Sequence, residues 1–131
     1  MEVTQLSAQV VHFEVPFDNG DRARSFYSDV FDWQTQSMPG MDYSLVSTGP
    51  ADEQGQPSEP GFIGGGMMQR QAPFNTPIIV MDVDDIDATL VAVKKNGGAA
   101  VGDKIPVADM GISAYFTDPE GNLMGLWQSL G

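Results

Sequence analysis

The stretch that decides the fold is Val10–Trp33, VVHFEVPFDNGDRARSFYSDVFDW. In Val11–Val15 the apolar residues Val11, Phe13 and Val15 alternate with His12 and Glu14. A period of two marks a half-buried strand with one polar face. Pro16 ends it. Asp18 is placed to N-cap a helix, and Asp21, three residues on, puts negative charge where the helix dipole favours it. Ala23, Phe26, Tyr27, Val30 and Phe31 then recur at helical spacing and form one apolar face. The spacing predicts a helix over Asn19–Phe31 whose apolar face covers that of the strand. His12 and Glu14 are then left pointing to the opposite side of the sheet.

The same theme returns later in the chain. Ile78–Val83 reads as a strand, and Asp84 is placed to cap a helix that turns Ile86, Leu90 and Val93 inward. That helix ends at Asn96-Gly97-Gly98, as helices commonly do. Three further strands complete the first half, over Trp33–Ser37, Asp42–Thr48 and Phe62–Gln69, with a polar, mobile loop at Gly49–Gly61. Three complete the second half, near Lys104–Val107, then Ile112–Thr117 and Leu123–Gln128, with a turn at Asp118-Pro119-Glu120-Gly121-Asn122. The order β-α-β-β-β therefore occurs twice, an internal repeat. An offset of 66 sets His12 on Ile78 and Asp18 on Asp84, an offset of 69 sets Met41 on Met110, and an offset of 59 sets Gly66 on Gly125. The expected class is α+β, with two tandem βαβββ modules, 1–70 and 71–131, sharing one domain.

Composition narrows the function. Hydrophobic residues make up 41% of the 131, enough for a packed core, and 15 Gly with nine Pro imply many turns. No run approaches the ~18 apolar residues of a membrane span. Met1–Val10 lacks the basic start and apolar core of a secretory leader. Cysteine is absent, which excludes disulfides and thiol chemistry and fits a reducing cytoplasm. The net charge is −12 with only six Lys plus Arg, which argues against nucleic acid and anionic membranes, since both require a basic patch. An acidic surface attracts a cationic ligand, and it also serves solubility alone.

His12, the helix segment Arg22-Ala23-Arg24-Ser25-Phe26-Tyr27-Ser28-Asp29-Val30-Phe31 and the closing Asp118-Pro119-Glu120-Gly121-Asn122 carry a resemblance. Together with the repeat, they make the chain similar to the vicinal oxygen chelate superfamily: glyoxalase I, extradiol dioxygenases and bleomycin-type resistance proteins. The resemblance implies an open, curved β-cup with the helices outside and a ligand inside, and chains of this size in that family often dimerise. It also implies four metal-ligand positions in metal-using members, which fall here on His12, Gly66, Ile78 and Gly125. Only His12 is a ligand, whereas zinc needs three or four N, O or S donors and nickel or iron usually more. The expected metal is none, and no cofactor is implied. Glu14, on the face of His12, is a weak candidate for a base or stray ligand.

By strand alternation, the cup faces are His12 and Glu14, then Gly64, Gly66 and Met68, then Ile78, Val80 and Asp82, then Leu123, Gly125 and Trp127. Ile112, Ala114 and Phe116 suit the helix side, which leaves Ser113, Tyr115 and Thr117 for the cup, and Ser44, Val46 and Thr48 in the other module. The ligand-binding candidates are His12, Glu14, Gly66, Met68, Tyr115, Gly125 and Trp127. Mid-strand glycine permits close approach of a ligand, so Gly66 and Gly125 are expected to open space and to tolerate bulk for folding. Simpler readings stand beside these. His12 also fits a hydrogen-bonded structural histidine, Tyr115 and Trp127 also fit core or dimer contacts, and Gly64-Gly65-Gly66 also fits a β-bulge. The expected function is binding of a small, partly aromatic or cationic molecule by a cytoplasmic homodimer. The alternatives are a glyoxalase-type lyase or dioxygenase with an altered metal set, and a cup filled by its own side chains.

Overall fold

The computed structural model describes residues 7–130. The first ten residues, read above as lacking a leader, lie partly outside that range. The elements run β1 (Val10–Phe17), α1 (Gly20–Phe31), β2 (Gln34–Ser37), β3 (Tyr43–Ser47), β4 (Gly64–Gln69), β5 (Ile78–Asp82), α2 (Ile86–Lys95), β6 (Ala99–Val107), β7 (Gly111–Thr117) and β8 (Leu123–Ser129). This is β-α-β-β-β twice, as the repeat predicts. The sixth strand begins five residues before the predicted Lys104, because Ala99–Val101 pair with Tyr115–Thr117 ahead of a register shift. The chain divides into two compact units, Val11–Ile79 and the remainder on either side of it.

In Val11–Ile79 the strand order is β2-β3-β4-β1, with β1 and β4 parallel and the other pairs antiparallel. The caps fall one residue later than predicted. Asn19, not Asp18, N-caps α1, its side chain accepting from the Arg22 N–H at 3.0 Å. Asp18 instead accepts from Arg70 Nε at 3.0 Å. Phe13, Val15, Ser44, Val46 and Met67 share the face toward α1, where Val46 and Met67 are fully buried. The helix reaches that face through a chain of rings: Tyr27 stacks on Trp33 at 4.7 Å, and Trp33 meets Phe13 at a tilt, 5.4 Å between centroids. The predicted apolar face of α1 is thus only partly used. Phe26, Val30 and Phe31 are more than half exposed, because the rings of Tyr27 and Trp33 fill the space beneath the helix.

In the second unit the order is β5-β8-β7-β6. Asp85, not Asp84, caps α2, accepting from the Ala88 N–H at 3.1 Å. Lys94 and Lys95 lie in its last turn, where positive charge suits the dipole. Its core is Ile86, Ala114 and Leu126, with Met81, Val83, Leu90, Ile112 and Phe116 packed around them. Gln128 Oε1 also accepts from the Ile86 N–H at 2.8 Å, tying the helix start to β8. The expected helix side of β7 is therefore the observed one. No helix among the described residues is long and apolar enough to cross a membrane.

Candidate functional site

The face of β1 turned away from α1 carries a hydrogen-bonded relay. Tyr43 Oη donates to Glu14 Oε2 at 2.7 Å, and His12 Nε2 lies 2.8 Å from the same hydroxyl. Since the phenol proton goes to Glu14, Nε2–H is the donor to Tyr43, which fixes the imidazole tautomer. Glu14 is 5% exposed, so its carboxylate depends on partners of this kind. Burial holds the His12 pKa below its ordinary value, with the Glu14 charge opposing that shift. The other ring nitrogen, Nδ1, has no hydrogen bond among the described residues. No buried side-chain N or O atom among those residues is unsatisfied, so Nδ1 reaches solvent.

Strand register places the predicted site residues. His12 pairs with Gly64 and Glu14 with Gly66, while Tyr43 pairs with Met68 and Leu45 with Gly66. His12, Glu14, Gly66 and Met68 therefore share one face. In the second unit Val80 and Tyr115 flank Gly125, and Asp82 and Ser113 flank Trp127. Tyr115, Gly125 and Trp127 share a face there as well. Trp127 Nε1 donates to Ser129 Oγ at 3.1 Å, and its ring covers Gly111, where an added Cβ would meet it at 2.5 Å.

Two expectations about the first unit are corrected. Ser44, Val46 and Thr48 were expected in the cup, but Ser44 and Val46 are buried toward α1, and Tyr43, Leu45 and Ser47 occupy the other face. The repeat offset on this strand is 70, not 69: Leu45 opposite Gly66 matches Tyr115 opposite Gly125. Gly66 also does not open a space. A Cβ there would fall within the ring end and hydroxyl of Tyr43, so the phenol occupies the volume the glycine leaves. On the other side of the strand, Phe13 covers Gly65 in the same way, with a Cβ meeting its ring at 2.5 Å. Gly64–Gly66 pair with β1, and Gly65 and Gly66 with β3, in unbroken register, so this is no bulge.

The metal set of the resembling family does not fit these residues. Tyr43 occupies the Gly66 position, His12 Nε2 and Glu14 Oε2 are both committed to that phenol, and no three His, Cys, Asp or Glu side chains group together among the described residues. Sequence reasoning missed Tyr43, the center of the relay. The signal that could have found it is a mid-strand glycine with an aromatic at the diagonal position of the neighboring strand, two residues from its direct partner.

Comparison with known proteins adds the family. Residues 9–49 match the model of the bleomycin resistance protein-like N-terminal family. A glyoxylase-like domain-containing protein of Didymella fabae is 32% identical over 122 residues, 89% of this chain and 91% of that one. CFP32 of Mycobacterium bovis, whose name places it provisionally among the glyoxylases, is 31% identical over 115 residues; the match spans 82% of this chain but only 40% of that one. Among solved structures, methylmalonyl-CoA epimerase of Mycobacterium tuberculosis superposes with a TM-score of 0.61 at 15% identity, covering 98% of this chain and 93% of that one. The protein BH1468 of Bacillus halodurans superposes at 0.64 with 14% identity, covering 95% and 96%. With such a relative matched over nine-tenths of both lengths, and the paired βαβββ fold shared, the chain belongs to the vicinal oxygen chelate superfamily, the glyoxalase and bleomycin-resistance group.

Proposed function

We propose that the chain binds a small, partly aromatic molecule on the β1–β4 face that carries the relay, without a complete metal site. The open Nδ1 of His12 is the observation that supports this best. With its pKa lowered, the ring is neutral at pH 7 and Nδ1 presents a lone pair. Behind it stand a phenol and a buried carboxylate. Such an acceptor suits a ligand O–H or N–H, as in a phenol or an amine cation. The net charge of −12 favors the approach of a cation. In this reading Glu14 and Met68 line the same site, Tyr115, Gly125 and Trp127 serve as ligand-facing positions of the second unit, and Gly66 serves by seating Tyr43. We further propose that 1–70 and 71–131 act as one ligand-binding domain in a cytoplasmic homodimer.

A catalytic reading draws on the same nitrogen, since a neutral imidazole backed by a carboxylate is also what proton abstraction needs. A thermal-shift screen of phenols and aromatic amines tests the binding reading. At least one compound should raise the wild-type Tm in proportion to log concentration and leave His12→Ala unmoved. If no compound separates the two proteins, the binding reading fails. The self-filled cup, which Tyr43 over Gly66 already favors locally, then takes its place.

A further inference from the structure

A groove of about 350 Å³ opens on the α1 side of β1, away from the relay. Phe17, Phe26 and Tyr27 supply its aromatic lining, and Arg22, Arg70 and Asp18 its charged groups. The chain has only three arginines, Arg22, Arg24 and Arg70, and all three gather here. Arg24 lies over the Phe17 ring, 5.6 Å from its centroid, and is neutralised by Asp21 at 2.9 Å. Arg70 is neutralised by Asp18 at 3.0 Å and also donates to the Asn75 carbonyl. Arg22 is different: its guanidinium makes no ion pair or hydrogen bond among the described residues.

We propose that this groove is a binding site for a small aromatic carboxylate, its ring against Phe26 and Tyr27 and its carboxylate on Arg22. In a chain of net charge −12, one unneutralised cation in the lining of an aromatic groove is a local reversal of sign. Guanidinium and carboxylate match in planarity and donor spacing, so the pair is bidentate where both are free. The volume is at the small end of ligand pockets, which suits one ring and one acid group. The other two arginines are already paired, Arg70 with Asp18 and Arg24 with Asp21, which leaves the Arg22 guanidinium for the anion. Phe26, more than half exposed, is a poor core residue and a natural wall for a ring.

Titration of the ¹⁵N-labelled chain with benzoate, and separately with benzylamine, tests the proposal by NMR. Benzoate should shift the amides of Phe17, Ala23, Phe26 and Tyr27 saturably, and benzylamine should not. Arg22→Gln should weaken benzoate about tenfold or more, the loss expected for one charge-assisted contact, with the rest of the spectrum unchanged. Arg22→Lys should recover part of the affinity. The proposal is overturned if benzoate shifts none of these amides, if benzylamine shifts them equally, or if Arg22→Gln binds benzoate as wild type does. Shifts confined to His12, Glu14 and Tyr43 would also overturn it, while supporting the relay face as a site. The two sites thus fail separately.

Discussion

Gly66→Ala should destabilise the protein, although alanine is ordinarily the better residue in a strand. The added Cβ coincides with the ring end of Tyr43, so the phenol must swing away. Two hydrogen bonds are lost with it, at 2.7 Å to Glu14 and 2.8 Å to His12. A bond to a buried carboxylate contributes about 1.5–3 kcal/mol and a neutral one about 1 kcal/mol. Glu14 is 5% exposed, so water does not replace the lost donor cheaply. Against this, removing glycine recovers about 0.5–1 kcal/mol of backbone entropy. The net cost is about 2–3 kcal/mol, which lowers the Tm of a domain this size by roughly 8–15 °C. Circular-dichroism melts of wild type, Gly66→Ala, Tyr43→Ala and the double variant form a cycle that isolates the contact. In the Tyr43→Ala background, Gly66→Ala should be level or stabilising, since nothing then covers the glycine. If Gly66→Ala alone melts within about 2 °C of wild type, a shift too small for the lost bonds, the ring does not seat there and the relay argument falls.

Tyr43→Phe keeps the ring over Gly66 and removes only the hydroxyl, so it should cost about 1–3 kcal/mol, read as a shift in urea midpoint with unchanged slope. His12 has a lowered folded pKa, so the unfolded chain takes up its proton first on acidification; its contribution is present above about 6.5 and is lost as pH falls through the folded value. Melts at pH 7.5 and 5.5 should therefore show a larger acid-induced loss in wild type than in His12→Gln, and equal losses would contradict the assignment. Val30→Ser on the exposed side of α1 should change stability by no more than about 0.5 kcal/mol, and a larger loss in a dilute monomer would mean that side chain is core. Elemental analysis after mild purification should find well under one transition-metal ion per chain; near-stoichiometric metal lost on His12→Ala would overturn the donor-set argument. Light scattering at micromolar concentration should give twice 14.1 kDa, and a lone monomer peak would count against the homodimer.

The order of elements was legible because both halves switch from period two to helical period at the same offset. The offset of 66 holds to the residue in the pairings Glu14–Gly66 and Val80–Gly125. It holds also for the caps Asn19 and Asp85, each one residue past Asp18 and Asp84. Either neighbor is a good cap by type, and only the Arg70–Asp18 pair decides which is free to cap α1.

The α+β class, the repeat and the side of β1 on which His12 and Glu14 lie were legible in the residues themselves. These follow from residue type and local period, which any strand or helix must obey. The tertiary structure alone decided which face of β3 meets that side. The loop lengths before β3 allow a slip of one residue, and with a period of two a slip of one exchanges every inward side chain for an outward one. Tyr43 for Ser44 is that exchange, and it turns Gly66 from an opening into a seat for a phenol. How much of α1 is covered was undecided for a related reason. Helical period names the apolar stripe, but the rings of Tyr27 and Trp33 fill the space beneath it and leave Phe26, Val30 and Phe31 facing water.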